Sequence, residues 1–256
     1  MAKLWSLTLL IGMLLANQAA AVNLRIVADL WPPYTDSRIP GNGLATDLVS
    51  TALRRSGYTT EYNEVPAARI IKGLKESRYD LVVGAWFDVE RAQLGKFSDP
   101  YLTNRLLVLQ RKNSSITFED LPGLRPYSIA VVRGYKYSPQ FDSDSTLNKL
   151  DVNSFQIAAR MLAAGRVDLT LEDELVAKYF LTGELHSIQS KIKFLPNSLG
   201  ENSLHALVRL THPLSQRIIT DFNREILSMC MDGTYGAIFR RHGFEPPAQM
   251  AHSQCR

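Results

Sequence analysis

From residue 24 the chain alternates short β-branched runs with segments of helical periodicity, a grammar that admits few architectures. "LRIVAD" reads as a strand, "GLATDLVSTALRRSG" as a helix with Leu44, Leu48, Ala52 and Leu53 on one face, and "YDLVVGA" as a second strand. After residue 125 the pattern resumes: "YSIAVVRG" strand, "SFQIAARMLAAG" helix, "VDLTL" strand, "EDELVAKYFL" helix. Strands separated by helices imply right-handed crossovers and a mostly parallel sheet. "NSLHALVRL" reads as a late strand. Helices from about Pro213 to Met231 and Thr234 to His242 follow, punctuated by Gly233 and Gly243.

A short echo links the halves. "AARIIKGLKESRYDLVVG" at 67–84 and "AARMLAAGRVDLTLED" at 158–173 each run from Ala-Ala-Arg through a helix to Arg-x-Asp and an apolar strand. Chance can produce so short an echo; the physical reading is two similar α/β lobes, with strand ends facing a common space, where open α/β sheets place ligands. A chain of 256 residues that is 45% hydrophobic can bury one large core or two modest ones.

Residues 1–21 stand apart. Lys3, the apolar run "LWSLTLLIGMLLA" and the small residues Ala19 and Ala21 describe a secretory signal peptide with Val22 as the mature N-terminus. The rival reading, an uncleaved anchor, needs a longer apolar core. Export would place Cys230 and Cys255 in an oxidising compartment. A bridge between them would contribute roughly 3 to 4 kcal/mol in the chain-entropy account; one buried thiol and one tail thiol is the alternative. Neither lies in a CxxC and the five histidines lack ligand spacing, so neither a metal nor another cofactor is expected. Without the signal, 28 basic and 25 acidic residues remain, a formal +3. That charge is too mild and dispersed for a nucleic-acid partner. "GNG" at 41 lacks the third glycine of a phosphate loop.

Six segments in order, "ADLWPPY", "GLATDLVSTALRRSG", "DVERAQLGKFSDPY", "VVRG", "LAAGRVDLTLEDE" and "MDGTYGAIFRRHG", resemble the polar amino-acid solute-binding proteins of ABC importers, extracellular solute-binding protein family 3. The resemblance implies a two-lobed, type II periplasmic-binding-protein fold of α/β class. Its two hinge crossings fall near Thr103–Leu107 and Ser203–Ala206. Lobe one would hold residues 22–104 and 205–243, lobe two 105–204, and 244–256 would be a tail. The implied function is capture of a small zwitterionic or acidic solute, foremost an amino acid, by lobe closure in the periplasm. An inner-membrane ABC permease would be the partner, and the protein a monomer that is not an enzyme. A dehydratase-type enzyme on the same scaffold and a soluble sensor for a membrane receptor are the alternatives. For the dehydratase, Glu172 or Glu201 would supply the acid.

The resemblance also implies site residues. Arg91 matches the arginine that clamps the ligand's α-carboxylate, a task suited to a planar, permanently charged fork; pairing with Glu90 or Asp99 is the bland alternative. Asp173 matches the acid that receives the ammonium group, although a carboxylate there would also start a helix. Asp29 and Trp31 match an acid and an aromatic wall after the first strand. In "VVRGYKY", Gly134 would let backbone N–H groups approach the carboxylate, with Tyr135 and Lys136 facing the cleft. Ala85 and Trp86 follow the strand before Arg91, and Trp86 stands where amino-acid binders commonly carry a small hydroxyl residue. Arg69 and Lys136 offer further positive charge to an acidic ligand, or point to solvent.

Overall fold

The computed structural model describes residues 21–87, 89–133, 135 and 137–246. The signal segment 1–20, the two site candidates Gly134 and Lys136, and Cys255 lie outside the described residues. Cys230 is disulfide-bonded.

The chain begins with β1 (Asn23–Ala28), α1 (Leu44–Arg55), β2 (Thr59–Glu64), α2 (Ala67–Lys75) and β3 (Leu81–Trp86). A single helical turn, α3 (Val89–Ala92), and the short β4 (Gly95–Phe97) lead into the long β5 (Leu102–Arg111). Next come β6 (Ser128–Val132), α4 (Pro139–Ser143), β7 (Asn148–Val152), α5 (Phe155–Ala163) and β8 (Leu169–Asp173). After α6 (Glu174–Thr182) and α7 (His186–Gln189), β9 (Ile192–Arg209) returns the chain to α8 (Ser215–Met231) and α9 (Thr234–Arg241).

The strands run β2-β1-β3-β9-β5-β8-β6-β7, with β4 also on β9. The expected parallel pairing holds inside each half: β1 with β2 and β3, and β6 with β7 and β8. Between the halves it reverses. β5 carries the chain across and β9 brings it back, so they pair antiparallel with each other, and each also pairs antiparallel with a strand of one half. Their register sets Thr103 opposite Ser203 and Leu106 opposite Gly200.

Period-two alternation covers both faces of each half-sheet. In the first lobe Leu24, Ile26, Leu81, Val83, Ala206 and Val208 face α1, α8 and α9, meeting Leu48, Leu53, Ile218, Phe222 and Phe239. On the opposite face Val27, Val82, Ala85 and Leu207 pack under Ile70 and Leu74 of α2. The second lobe repeats the plan, with Leu169 and Leu171 on one face and Ala130 against α5 and α6 on the other.

The Arg-x-Asp echo has a structural meaning. Asp80, just before β3, accepts from the backbone N–H of Arg25 in β1 at 3.0 Å. Asp168, just before β8, accepts from the backbone N–H of Ser128 in β6 at 3.0 Å. Each aspartate fixes the register of the neighbouring parallel strand, which satisfies a backbone donor at the strand's start.

Gly43 opens α1 with φ at +96°, and a Cβ there would stand 2.5 Å from the Tyr34 carbonyl oxygen. Gly43→Ala therefore forces both a left-handed backbone and a clash, costing about 2 kcal/mol. The expected result is a melting temperature several degrees lower; an unchanged melting curve would refute the account.

Candidate functional site

The carboxyl ends of β1 and β3 open onto a cavity of about 320 Å³ between the lobes. At the end of β1, Asp29 is followed by Trp31, whose backbone bridges to Thr35 in a tight turn. Thr35 Oγ1 donates to the Asp29 carbonyl at 2.7 Å, which ties that turn to the strand end. Ala85 and Trp86 close β3, and α3 delivers Arg91 one turn later. From the second lobe, the loop after β6 brings Tyr135 to the same space.

Thus Asp29, Trp31, Ala85, Trp86, Arg91 and Tyr135 all line one cavity. Arg91 is half-buried, and its Nη1 lies 3.5 Å from the Trp86 carbonyl oxygen. Burial pushes the Asp29 carboxyl above its ordinary range, while its own backbone and the Arg91 charge pull it back. The two opposite charges of the cavity therefore feel each other, a pattern typical of functional clefts.

The aromatic residues form a connected wall. Trp31 and Trp86 meet edge-to-face at 6.0 Å, and Trp31 leans on Tyr34 at 4.5 Å. The Trp31 indole N–H donates to the Tyr135 hydroxyl at 3.2 Å, a contact from one lobe to the other. Trp86 turns its indole N–H to the Asn104 side-chain oxygen on β5 at 2.8 Å. The indole therefore lines the cavity and is tied to a crossing strand, so the bulk that the sequence left undirected narrows the site.

Asp173 stands where the resemblance sets it, at the end of β8 and the start of α6. It is buried at the end of β8 and is absent from the cavity lining. Its Oδ1 accepts from Leu175 N, Val176 N and the Tyr34 hydroxyl, at 2.9, 3.0 and 2.9 Å. Asn104 donates to its Oδ2 at 3.3 Å. The carboxylate caps α6 and joins the lobes through Tyr34, which is the helix-start role that the residue type also allows. Burial lifts its pKa to about 6, against the pull of those bonds.

Arg69 is exposed on the first turn of α2, outside the lining. Glu201 pairs with Arg105 at 3.5 Å and is also outside it. Glu172 is 2% exposed, and burial raises its pKa to about 8.

Sequence reasoning missed the floor of the cavity: Ala67, Ile70 and Ile71 of α2, Val82 and Gly84 of β3, and Leu204 and Leu207 of β9. Aliphatic residues on an amphipathic helix and two strands look like core in any sequence. Their double role appears only when the helix and the strand ends leave a gap. Among the described residues no group of three His, Cys, Asp or Glu side chains could hold a metal ion, and no helix is long and apolar enough to cross a membrane.

The sequence model of the bacterial extracellular solute-binding proteins, family 3, matches residues 24–245. The L-cystine-binding protein TcyA of Bacillus subtilis (strain 168) is 28% identical over 211 residues, covering 78% of this chain and 71% of that protein. The ABC transporter arginine-binding protein 1 of Escherichia coli (strain K12) is 25% identical over 228 residues, covering 87% and 90%. The crystal structure of the ancestral amino acid-binding protein AncCDT-1, a precursor of cyclohexadienyl dehydratase, superposes with a TM-score of 0.62 at 21% identity, covering 86% of this chain and 94% of that one. The shared architecture is the two-lobed periplasmic-binding-protein fold.

Proposed function

The chain belongs to the bacterial extracellular solute-binding proteins, family 3, and from that membership we propose that it captures a free amino acid between its lobes and presents it to an ABC permease. The observation that carries this reading is the pairing of Arg91 with Asp29 in one small cavity that also receives Tyr135 from the opposite lobe. A guanidinium and a carboxylate on one wall match the two charges of a zwitterion. The cavity volume lies near the lower end of the range of roughly 300 to 1,000 Å³ that small-molecule sites occupy.

In this reading Arg91 clamps the α-carboxylate and Asp29 receives the α-ammonium. Asp173, already holding four donors, serves closure. The lobes divide at residues 22–104 with 205–243 against 105–204, and they rotate about β5 and β9. Ligand bound to the first lobe favours the closed form to the extent that Tyr135 and the second lobe add contacts. A cleaved leader, export to the periplasm and a monomeric state complete the proposal.

The test is a thermal-shift screen of the chain, freed of carried-over solute by unfolding and refolding, against amino acids, dicarboxylates and aromatic acids. A ligand at a thousandfold its dissociation constant should stabilise by about 4 kcal/mol. At the same concentration Arg91→Ala should lose most of that shift, because a cost of about 3 to 5 kcal/mol is more than a hundredfold in affinity and leaves the ligand at about tenfold its dissociation constant or less. A folded Arg91→Ala variant that binds as the parent does would defeat the assignment.

A further inference from the structure

We infer that Asn104 is a positioning residue for the cavity: it pins the Trp86 indole and ties that wall to the junction of the lobes, so that it decides how large a solute fits. The inference deepens the capture reading above and rests on it for the solute. The pinning itself is a property of the free chain.

Asn104 stands on β5, opposite Asn202 of β9, where the two crossing strands run side by side. It is 3% exposed, so its side-chain bonds are made inside the protein and little water reaches them. The side-chain oxygen accepts from Trp86 Nε1 at 2.8 Å, and the amide nitrogen donates to Asp173 Oδ2 at 3.3 Å. These two partners dictate the residue type. An indole nitrogen can only donate and an ionised carboxylate can only accept, so the side chain between them must do both. An aspartate would satisfy the indole but set a second carboxylate against Asp173, and a leucine of similar volume would leave both neighbours unpaired.

The pinned ring matters because Trp86 is a bulky part of the wall. It lines the cavity together with Trp31, and the two indoles meet edge-to-face at 6.0 Å. Trp31 leans on Tyr34, whose hydroxyl donates to Asp173 Oδ1. The contacts therefore close a ring, from Trp86 through Asn104, Asp173, Tyr34 and Trp31 back to Trp86. Within it Asn104 couples a cavity wall of the first lobe to the residue that caps α6 in the second. A displacement of the lobes about β5 pulls on the indole through this amide, and the width of the site follows the junction.

Two measurements on the full chain test the inference. Hydrogen exchange of the indole N–H groups, with the Trp86 signal identified by its loss in Trp86→Phe, reads the pinning without solute. In Asn104→Leu that signal is expected to exchange about tenfold faster, the equivalent of one lost hydrogen bond, while the Trp31 signal, still bonded to Tyr135, changes less. Thermal shifts with free amino acids ranging in size from glycine to tryptophan read the consequence. The profile of Asn104→Leu is expected to move toward larger side chains, as that of Trp86→Ala does, and the double variant is expected to move no further than Trp86→Ala. Asn104→Ser, too short to reach the indole, carries the same expectation should leucine not be tolerated. A residue that merely supports the fold would lower the melting temperature and leave the order of the amino acids as it was. Unchanged indole exchange, or faster exchange with an unchanged order, overturns the inference and leaves amino-acid capture standing. A folded chain that no amino acid shifts overturns the capture reading and with it the size preference, and the exchange rate then decides the pinning alone.

Discussion

At pH 8 the Glu172→Gln variant melts on the order of 10 °C above the unsubstituted chain, and at pH 4.5 the two melt together. Glu172 lies in β8, where its Oε1 accepts from the Asp173 backbone N–H at 2.9 Å. It is 2% exposed. Burial, reinforced by the neighbouring Asp173 charge, raises its pKa from 4.5 to about 8. The native chain therefore keeps a proton that the unfolded chain releases above pH 4.5. With the folded value raised, the stability contribution is fully present below pH 4.5 and is lost as pH rises through 8. Each pH unit in that window costs about 1.4 kcal/mol, several kcal/mol in all. Glutamine keeps the acceptor and the shape, and it has no proton to lose. Calorimetric scans of both chains from pH 4.5 to 8 give the answer, and parallel profiles would show that Glu172 is ionised in the fold.

Asp80→Ala is expected to cost about 3 kcal/mol in urea unfolding at pH 7, because it removes a buried carboxylate from between two guanidinium groups. Asp80 is 4% exposed and accepts from Arg25 Nε and Nη2 at 2.9 and 2.8 Å and from Arg209 Nη2 at 3.1 Å. Those arginines lie on β1 and β9, the two strands that flank β3. The Arg25 head is 40% exposed, which keeps the figure at the low end. The pH signature runs opposite to that of Glu172. Asp80 is held at a pKa of about 2, chiefly by Arg25 once burial is overcome. Its contribution is present above pH 3.8 and fades as pH falls through 2. The matching Asp168→Ala in the second lobe should cost about 1 kcal/mol, since that carboxylate is 39% exposed and its arginine stands 3.6 Å away. Equal losses for the two would refute the ranking.

Much of this was legible in the residues. Helix α1 was readable because Leu44, Leu48 and Leu53 recur at helical spacing behind a glycine, and it forms from Leu44 to Arg55. The end of β9 was readable from "NSLHALVRL", whereas its beginning at Ile192 was not. "IKFLPNSLG" contains a proline and a glycine and gives no clean alternation, and it extends because it lies along β5. The cluster Asp29, Trp31, Trp86, Arg91 came from family resemblance and meets in one cavity. Asp173 was placed by the same resemblance at the end of β8, whereas its bond to Tyr34, a partner 139 residues away, was not readable. No local pattern encodes such a distance.

The apolar interior of the first lobe runs from Leu24 to Phe239, and Asp47 of α1 is held by Arg241 and by His242, whose Nε2 lies 2.9 Å away. A polypeptide delivered N-terminus first thus carries its second lobe to completion when β9 emerges, while Ile26, Leu48 and Leu53 still wait for α8 and α9. Through that interval the early segment is sticky and unfinished. Exposed apolar surface of that kind is where association between incomplete chains begins.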